Sequence, residues 1–297
     1  MISLIGATSR LGTAVAARFL AASIPFRAAC RTTSKAQALA GRGIDIVAVD
    51  LESGTGLSQA VDGCSKVICC LHGLMGTSRD SIKKIDKEGH AALIEASVKA
   101  GVSRFVYTSA LGASPDHPSE FWRAKASTEE RLKKSGLEFV IVRPSAFMDL
   151  YAHELIGKSV LNGKSVVLLG EGRTPRNLVA VDDVAAVAVL ALTRADLANQ
   201  TIEVGGWESL SDREVVAVYE RVAGRKARVI SVPSPALEVL AAAISPFHAG
   251  IGRLMRLPNQ LAGRADLHLD ASFWSATLGI DPVRLSEFAA RGQHENR

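Results

Sequence analysis

The fold is decided by the stretch Gly6-Ala7-Thr8-Ser9-Arg10-Leu11-Gly12, which joins the β-branched run 2–5 to an Ala-rich helical stretch. The first glycine permits a tight turn, and the last permits close packing of helix against strand. Ser9 replaces the middle glycine of the usual pattern, and its small hydroxyl is itself able to donate to a phosphate. The stretch therefore predicts that helix N-terminal amides and the residues Gly6, Thr8, Ser9, Arg10, Leu11 and Gly12 bind a pyrophosphate. The alternative is an ordinary strand-to-helix turn.

Short apolar runs alternate with helical stretches through the first half of the chain. The predicted strands are 2–5, 26–30, 44–49, 66–71, 104–108 and 137–142, and the predicted helices are 11–22, 34–40, 88–100 and 119–135. This alternation is typical of a parallel sheet that is covered by helices on both faces. Right-handed crossovers then give an α/β fold with a doubly wound parallel Rossmann sheet.

The pattern becomes less regular after Pro144, which ends the sixth run. Further strands are predicted at 165–169 and 201–204, and further helices at 183–192 and 211–223. Ser211 and Glu214 have the spacing of a capping box at the start of the last of these helices. We predict a Rossmann domain over residues 1–145 and a small C-terminal α/β lobe over 146–297. The lobe is expected to bind substrate, and part of it returns to the core sheet.

Composition excludes several classes of protein. The 297 residues are 47% hydrophobic and 22% charged, with a formal net charge of +5, which excludes a disordered chain. Lys and Arg do not cluster among aromatic residues, so no nucleic-acid partner is expected. The most apolar long stretch, 178–192, contains Asp182 and Asp183, so no membrane span is expected.

The four cysteines are Cys30, Cys64, Cys69 and Cys70, and their spacing matches neither a CxxC pair nor a zinc site. We therefore expect free buried thiols, no metal and a cytoplasmic location.

The end of the second strand predicts which dinucleotide binds. A carboxylate about 20 residues beyond the glycine loop would hold the ribose 2′-hydroxyl of NAD. Arg31 stands there instead, followed by Thr32, Thr33, Ser34 and Lys35. Because arginine can bind a 2′-phosphate through two hydrogen bonds, Arg31 with Lys35 and Arg10 favours NADP(H) over NAD(H). The alternative is a solvated loop arginine.

Residues at the ends of the next strands complete the predicted cofactor site. Asp50 and Leu51 end the third strand, where the carboxylate is able to accept from an adenine amino group. A simple turn aspartate is the alternative. Leu71 and His72 end the fourth strand, beside the expected pyrophosphate and nicotinamide ribose. His72 is otherwise an ordinary loop residue.

The sequence resembles the atypical short-chain dehydrogenase/reductases of the NmrA-like, NAD(P)H-binding group. The matching pieces are Gly6–Gly12, Arg31, Asp50, 105–109, Lys125, 135–137, Arg143-Pro144 and 181–185. This resemblance implies an NAD(P)-binding Rossmann fold with a small C-terminal lobe. It also implies cofactor contacts from Thr108, Lys125 and Pro144, and a loop that carries Phe147 past the nicotinamide.

The family's reductases use a Ser or Thr, a Tyr that exchanges a proton with substrate, and a Lys that lowers the pKa of the Tyr. Lys125 is present and Ser109 is the candidate hydroxyl, so the resemblance makes these two residues the catalytic candidates. The residue four positions before Lys125 is Phe121, which has no proton to give.

Three functions therefore stay open. The first is an NADP(H)-dependent oxidoreductase of a small apolar or quinone-like substrate. There the proton comes from Lys125, from Tyr151 or His153, or from water. The second is a non-catalytic NADP(H) redox sensor with a regulatory protein partner. The third is a scaffold or assembly factor that holds the dinucleotide.

Overall fold

The computed structural model describes residues 1–261 and 269–295. Its contacts divide the chain into two compact units. The first unit is Met1–Arg143 with Val184–Ile202, and the second is Pro144–Asp183 with Glu203–Arg297.

The strands form three sheets. They are β1 (Ile2–Ile5), β2 (Phe26–Cys30), β3 (Asp45–Ala48), β4 (Lys66–Cys69), β5 (Arg104–Thr108), β6 (Glu138–Pro144), β7 (Ala146–Phe147), β8 (Val166–Leu169), β9 (Arg176–Val179), β10 (Gln200–Val204), β11 (Ser209–Leu210) and β12 (Val229–Val232). The seven-stranded sheet has the order β10-β6-β5-β4-β1-β2-β3. The pairings along β6-β5-β4-β1-β2-β3 are all parallel.

This sheet confirms the doubly wound Rossmann fold. The strand order reverses between β1 and β4, and ligands of such sheets bind at the carboxyl edge beside that switch point. The apolar runs reflect burial on both faces, since Leu4, Ile5, Val67 and Ile68 are all inaccessible to solvent.

The helices cover the sheet and build much of the second unit. They are α1 (Arg10–Ala21), α2 (Gln37–Ala40), α3 (Leu57–Val61), α4 (His90–Lys99), α5 (Glu120–Lys133), α6 (Lys158–Leu161), α7 (Val181–Ala191), α8 (Asp212–Ala223), α9 (Ser234–Ile244), α10 (Ala249–Leu261), α11 (Ala271–Leu278) and α12 (Leu285–Glu295). Thr33–Ala36 and Ala195–Leu197 are short 3₁₀ segments. None of the helices in the described ranges is long and apolar enough to cross a membrane.

One predicted helix begins earlier than the sequence indicates. The prediction places its start at Glu88, whereas a π-helical segment at Ile82–Gly89 leads directly into α4. Five of the eight residues of this segment are charged and only Ile82 and Ile85 are large and apolar, so the apolar pattern that predicts a helix is weak there. Gly89 is required here, because a Cβ on it would lie 2.4 Å from the carbonyl oxygen of Leu51.

The second unit has its own core and two small sheets. The sheets have the orders β11-β9-β7 and β12-β8, and a second π-helical segment, Met148–Gly157, packs with α8 and α12. Ser211 and Glu214 form the predicted capping box at the start of α8. The helices from α9 onward do not appear in the sequence prediction, because prolines punctuate that region. Pro235 in fact lies in the first turn of α9, where proline is tolerated.

Candidate functional site

The loop between β1 and α1 has the geometry that a dinucleotide requires. Gly6 has a positive φ of 84°, and a Cβ on it would lie 2.5 Å from Cγ of Leu71. A Cβ on Gly12 would lie 2.0 Å from the carbonyl oxygen of Gly6. Both positions therefore exclude every side chain, and the backbone there is open to close approach by a phosphate group.

The N-terminus of α1 has backbone N–H groups that are available to bind an anion. The backbone N–H groups of Thr8 and Leu11 donate to no atom in the described part of the chain. The first turn of α1 contains no acidic residue, so the helix dipole is not neutralised locally. These features fit a pyrophosphate, and Gly6, Thr8, Leu11 and Gly12 are the residues that would hold it.

Ser9 has a different role from the one expected of its hydroxyl. The Ser9 hydroxyl is the N-cap of α1, where it accepts from the Gly12 N–H at 3.0 Å. Its own proton is donated to the Cys70 carbonyl at 3.1 Å. Ser9 therefore connects the loop to the end of β4, and a contact of its hydroxyl with a phosphate stays a prediction.

The end of β2 lies directly beside the loop. The carbonyl of Ala29 accepts from the N–H groups of Gly6 and Ala7 at 2.8 and 3.2 Å. Arg31 and Lys35 follow and are exposed, and within the described residues neither side chain has a hydrogen bond or an ion pair. This edge of the sheet therefore presents two cations and no carboxylate between positions 31 and 35.

Asp50 and Leu51 follow β3, and both stabilise the loop in which they lie. Asp50 Oδ1 accepts from the Glu52 N–H at 3.0 Å, and the Asp50 N–H donates to the Thr55 carbonyl at 3.0 Å. Leu51 is buried against Gly89. These bonds fit a turn aspartate, and the contact of Asp50 with adenine stays a prediction.

Lys125 is enclosed within the first unit. Its side chain is 1% exposed, and its ammonium lies 3.4 Å from Asp86 Oδ1, a carboxylate that is 0% exposed. Nζ also donates to the carbonyls of Thr108 at 3.0 Å and Leu71 at 3.5 Å, and it lies 4.8 Å from the ring centre of Tyr107. Two hydrogen bonds and one ion pair thus hold the ammonium within the protein, and Lys125 joins the ends of β4 and β5. Its proposed proton role stays a prediction that this geometry does not favour.

Asp86, which is not among the predicted site residues, organises the residues around Lys125. Its Oδ2 accepts from the Gly73 N–H at 2.6 Å, and its carbonyl accepts from the Thr128 hydroxyl at 2.6 Å and from His90 Nδ1 at 3.2 Å. A signal was present, because Asp86 shares a helical face with the buried residues Ile82 and Gly89. A buried lysine also requires a buried anion.

Ser109 is connected to a second buried ion pair. Its hydroxyl donates to Glu129 Oε1 at 2.5 Å, and Glu129 also binds Arg143 with an Nη2–Oε2 distance of 2.6 Å. Ser109 is 5% exposed and Glu129 is 1% exposed. Because the hydroxyl proton is used inside the protein, the arrangement does not favour Ser109 as a catalytic donor, and that role stays a prediction.

His72 and Phe121 lie together where the resemblance leads one to expect a tyrosine. Phe121 is buried on α5, and its ring centre lies 5.8 Å from that of His72 in an edge-on contact. Lys125 Nζ lies 5.5 Å from the Phe121 ring centre. Desolvation by neighbouring protein atoms, and then the positive charge of Lys125, lower the pKa of His72 from its usual 6.5. At neutral pH the ring is therefore uncharged.

Two of the predicted residues belong to the second unit. Pro144 is the last residue of β6, and Phe147 pairs with Val179 in the three-stranded sheet. Their contacts with a nicotinamide stay predictions.

Sheet topology and loop geometry together define a dinucleotide-binding protein of the Rossmann type. The chain belongs to the NAD(P)H-binding family, whose model matches residues 6–195. This match confirms the expected resemblance to the NAD(P)H-binding group of atypical short-chain dehydrogenase/reductases and NmrA-like proteins.

The relatives of the chain differ in their described roles. The NAD(P)H azoreductase of Xenophilus azovorans is 33% identical over 235 residues, covering 78% of this chain and 77% of the relative. The photosystem II assembly factor Ycf39 of Guillardia theta is 29% identical over 232 residues, covering 77% and 72%. The NADPH-dependent quinone oxidoreductase of Escherichia coli, solved with NADPH, superposes with a TM-score of 0.78 at 21% identity, covering 98% and 99% of the two chains. At that identity the superposition shows the shared fold alone.

Proposed function

We propose that the protein is an NADPH-dependent reductase of planar conjugated acceptors such as quinones or azo compounds. The observation that carries the proposal is a complete dinucleotide loop at a sheet edge where phenylalanine replaces the expected catalytic tyrosine. The azoreductase relative supports this acceptor class.

Arg31 and Lys35 support a preference for NADPH. Both cations are exposed at the end of β2, and no carboxylate is present there to repel a 2′-phosphate. We infer that Arg31 binds this phosphate directly and that Lys35 adds a weaker charge interaction.

The absence of a proton-donating tyrosine at position 121 restricts which acceptors can be reduced. When bound, NADPH supplies a hydride to the acceptor. An ordinary ketone needs a proton as the hydride arrives, and Phe121 has none to give. A quinone or azo compound is a stronger electrophile that can accept the hydride first and take its proton from water. The chain's own residues then bind and orient the two reactants.

Binding and turnover together test the proposal. NADPH and NADH affinities are measured by fluorescence titration, and NADPH oxidation is then followed with menadione, an azo dye and a simple aldehyde. We expect tighter binding of NADPH than of NADH and turnover with menadione or the azo dye, but not with the aldehyde. Tight NADPH binding without turnover of any acceptor would refute the proposal.

A second candidate is a protein that binds a partner and uses the dinucleotide as a ligand. The assembly-factor relative and the internal use of the Lys125 and Ser109 protons favour it. A pull-down whose set of bound proteins differs between NADPH and NADP⁺, in a protein without turnover, would support this candidate.

We also propose that the protein works in a reducing compartment such as the cytoplasm. All four cysteines are free and buried, which is typical of reducing surroundings.

A further inference from the structure

The imidazole of His72 is an exposed polar group that the structure leaves available. His72 follows β4 at the carboxyl edge of the sheet, two residues after Cys70, whose N–H donates to the Ile5 carbonyl at 2.9 Å. The ring packs edge-on against Phe121 and makes no hydrogen bond to any residue in the described ranges. Both of its nitrogens can therefore interact with a ligand.

Hydrogen bonds to the buried residues Lys125 and Asp86 fix the backbone on both sides of His72. On one side the Leu71 carbonyl accepts from Lys125 Nζ at 3.5 Å. On the other side the Gly73 N–H donates to Asp86 Oδ2 at 2.6 Å. A Cβ on Gly73 would lie 2.4 Å from the Ser81 carbonyl oxygen, so this residue is also tightly packed. A flexible surface histidine would not need such support, whereas a group that must meet a reacting atom does.

We propose that His72 is a catalytic residue whose ring N–H donates a hydrogen bond to the reducible oxygen or nitrogen of the acceptor, in the place of the absent tyrosine. This inference rests on the proposed reductase function and extends it by assigning the residue that binds the acceptor.

The proposed step conserves atoms and charge. A quinone gains a hydride from NADPH, and its oxygen acquires the negative charge, which the His72 N–H stabilises as it forms. A proton from water then completes the hydroquinone, so one quinone, one NADPH and one proton give one hydroquinone and one NADP⁺. Because the imidazole is neutral at pH 7, it acts as a hydrogen-bond donor and not as the source of the proton.

A cationic acceptor provides an internal control. A triphenylmethane dye takes the hydride at carbon and becomes neutral, so no oxygen or nitrogen at the reacting centre acquires negative charge. The contribution of His72 should therefore appear with a quinone and be absent with the dye. If a substitution changes NADPH occupancy, both kcat/KM values change by the same factor, so the effect cancels in their ratio.

The test compares His72→Phe, which removes both ring nitrogens, with His72→Gln, which keeps an N–H donor. We expect the quinone-to-dye ratio to fall about 10²-fold in His72→Phe and to be largely restored in His72→Gln. Thr77→Val, an exposed substitution in the same loop, is the matched control and should leave the ratio unchanged. An unchanged ratio in His72→Phe overturns the inference but leaves the reductase function standing.

A second readout does not depend on turnover. Quinone binding is measured by calorimetry in the presence of NADP⁺, where no hydride is available. We expect binding by the wild type and about 3- to 10-fold weaker binding by His72→Phe, since a neutral hydrogen bond contributes modestly. Equal affinities, or no quinone binding by the wild type, overturn the inference. Absence of NADPH-driven reduction of every acceptor, despite this binding, refutes the reductase function instead.

Discussion

Removing one partner of the buried ion pair between Lys125 and Asp86 should be among the most destabilising single substitutions in the first unit. Lys125→Met removes the ammonium and leaves the carboxylate of Asp86, which is 0% exposed, without its counterion. Breaking a buried pair in this way costs about 3–5 kcal/mol. At about 2–4 °C per kcal/mol for a domain of this size, the unfolding temperature should fall by about 6–20 °C.

The assay is thermal and urea unfolding, followed by far-UV circular dichroism and tryptophan fluorescence. Lys133→Met is the matched control, because the Lys133–Glu130 pair is largely exposed and should change stability by less than about 1 kcal/mol. The double variant Lys125→Met/Asp86→Asn leaves no buried charge unpaired, so it should recover part of the loss.

This experiment also separates two roles for Lys125. If Lys125 acts by fixing Leu71 and Thr108, stability and cofactor binding should fall together in Lys125→Met. A variant with wild-type stability and NADPH affinity but no turnover would refute this reasoning and return the proton role to Lys125.

Three further predictions concern the cofactor loop, the 2′-phosphate and pH. Gly12→Ala should weaken NADPH binding at least about 10²-fold in fluorescence titration, because its Cβ would lie 2.0 Å from the Gly6 carbonyl oxygen. An affinity within twofold of wild type would contradict this. Arg31→Ala should raise the NADPH Kd about 10- to 100-fold and leave that of NADH nearly unchanged; equal losses for both would count against a 2′-phosphate contact. Burial, followed by the charge of Lys125, lowers the pKa of His90 to about 3 from 6.5. Below pH 6.5 the unfolded chain therefore binds one more proton than the folded chain. About 2 kcal/mol of the free energy of unfolding should be lost as the pH falls from 6.5 to 5. His90→Gln should reduce that slope in urea titrations, and an unaltered slope would contradict the assignment.

The sequence was sufficient for the parts of the fold that depend on local pattern. The strands 26–30 and 104–108 have the predicted ends, and the loop from Gly6 to Gly12 lies between β1 and α1 as expected. These features follow from apolar runs and from glycines at positions where a Cβ would clash with other atoms. The apolar runs and the contact between Gly12 and Gly6 are local, whereas the contact of Gly6 with Leu71 forms only in the folded sheet; the glycine pattern is nevertheless visible in the sequence.

The buried contacts beneath the site were beyond that kind of reasoning. Asp86 meets Lys125 across many intervening residues, and it is one of five charged residues in the eight-residue π-helical segment that carries it. The resemblance makes Ser109 a candidate donor, but its partner, Glu129, lies on another element, so the sequence does not show that the hydroxyl proton is bound within the protein. Which polar group pairs with which is decided by tertiary packing.

We propose above that this chain transfers a hydride from NADPH to a conjugated acceptor. The most direct test is a single-turnover experiment, in which protein loaded with NADPH is mixed anaerobically with menadione and absorbance at the nicotinamide band is followed. We expect one NADPH oxidised for each menadione reduced, at a rate that falls when the transferred C4 hydrogen is replaced by deuterium. If bound NADPH is oxidised no faster than NADPH in the protein-free control, the proposed hydride transfer is contradicted.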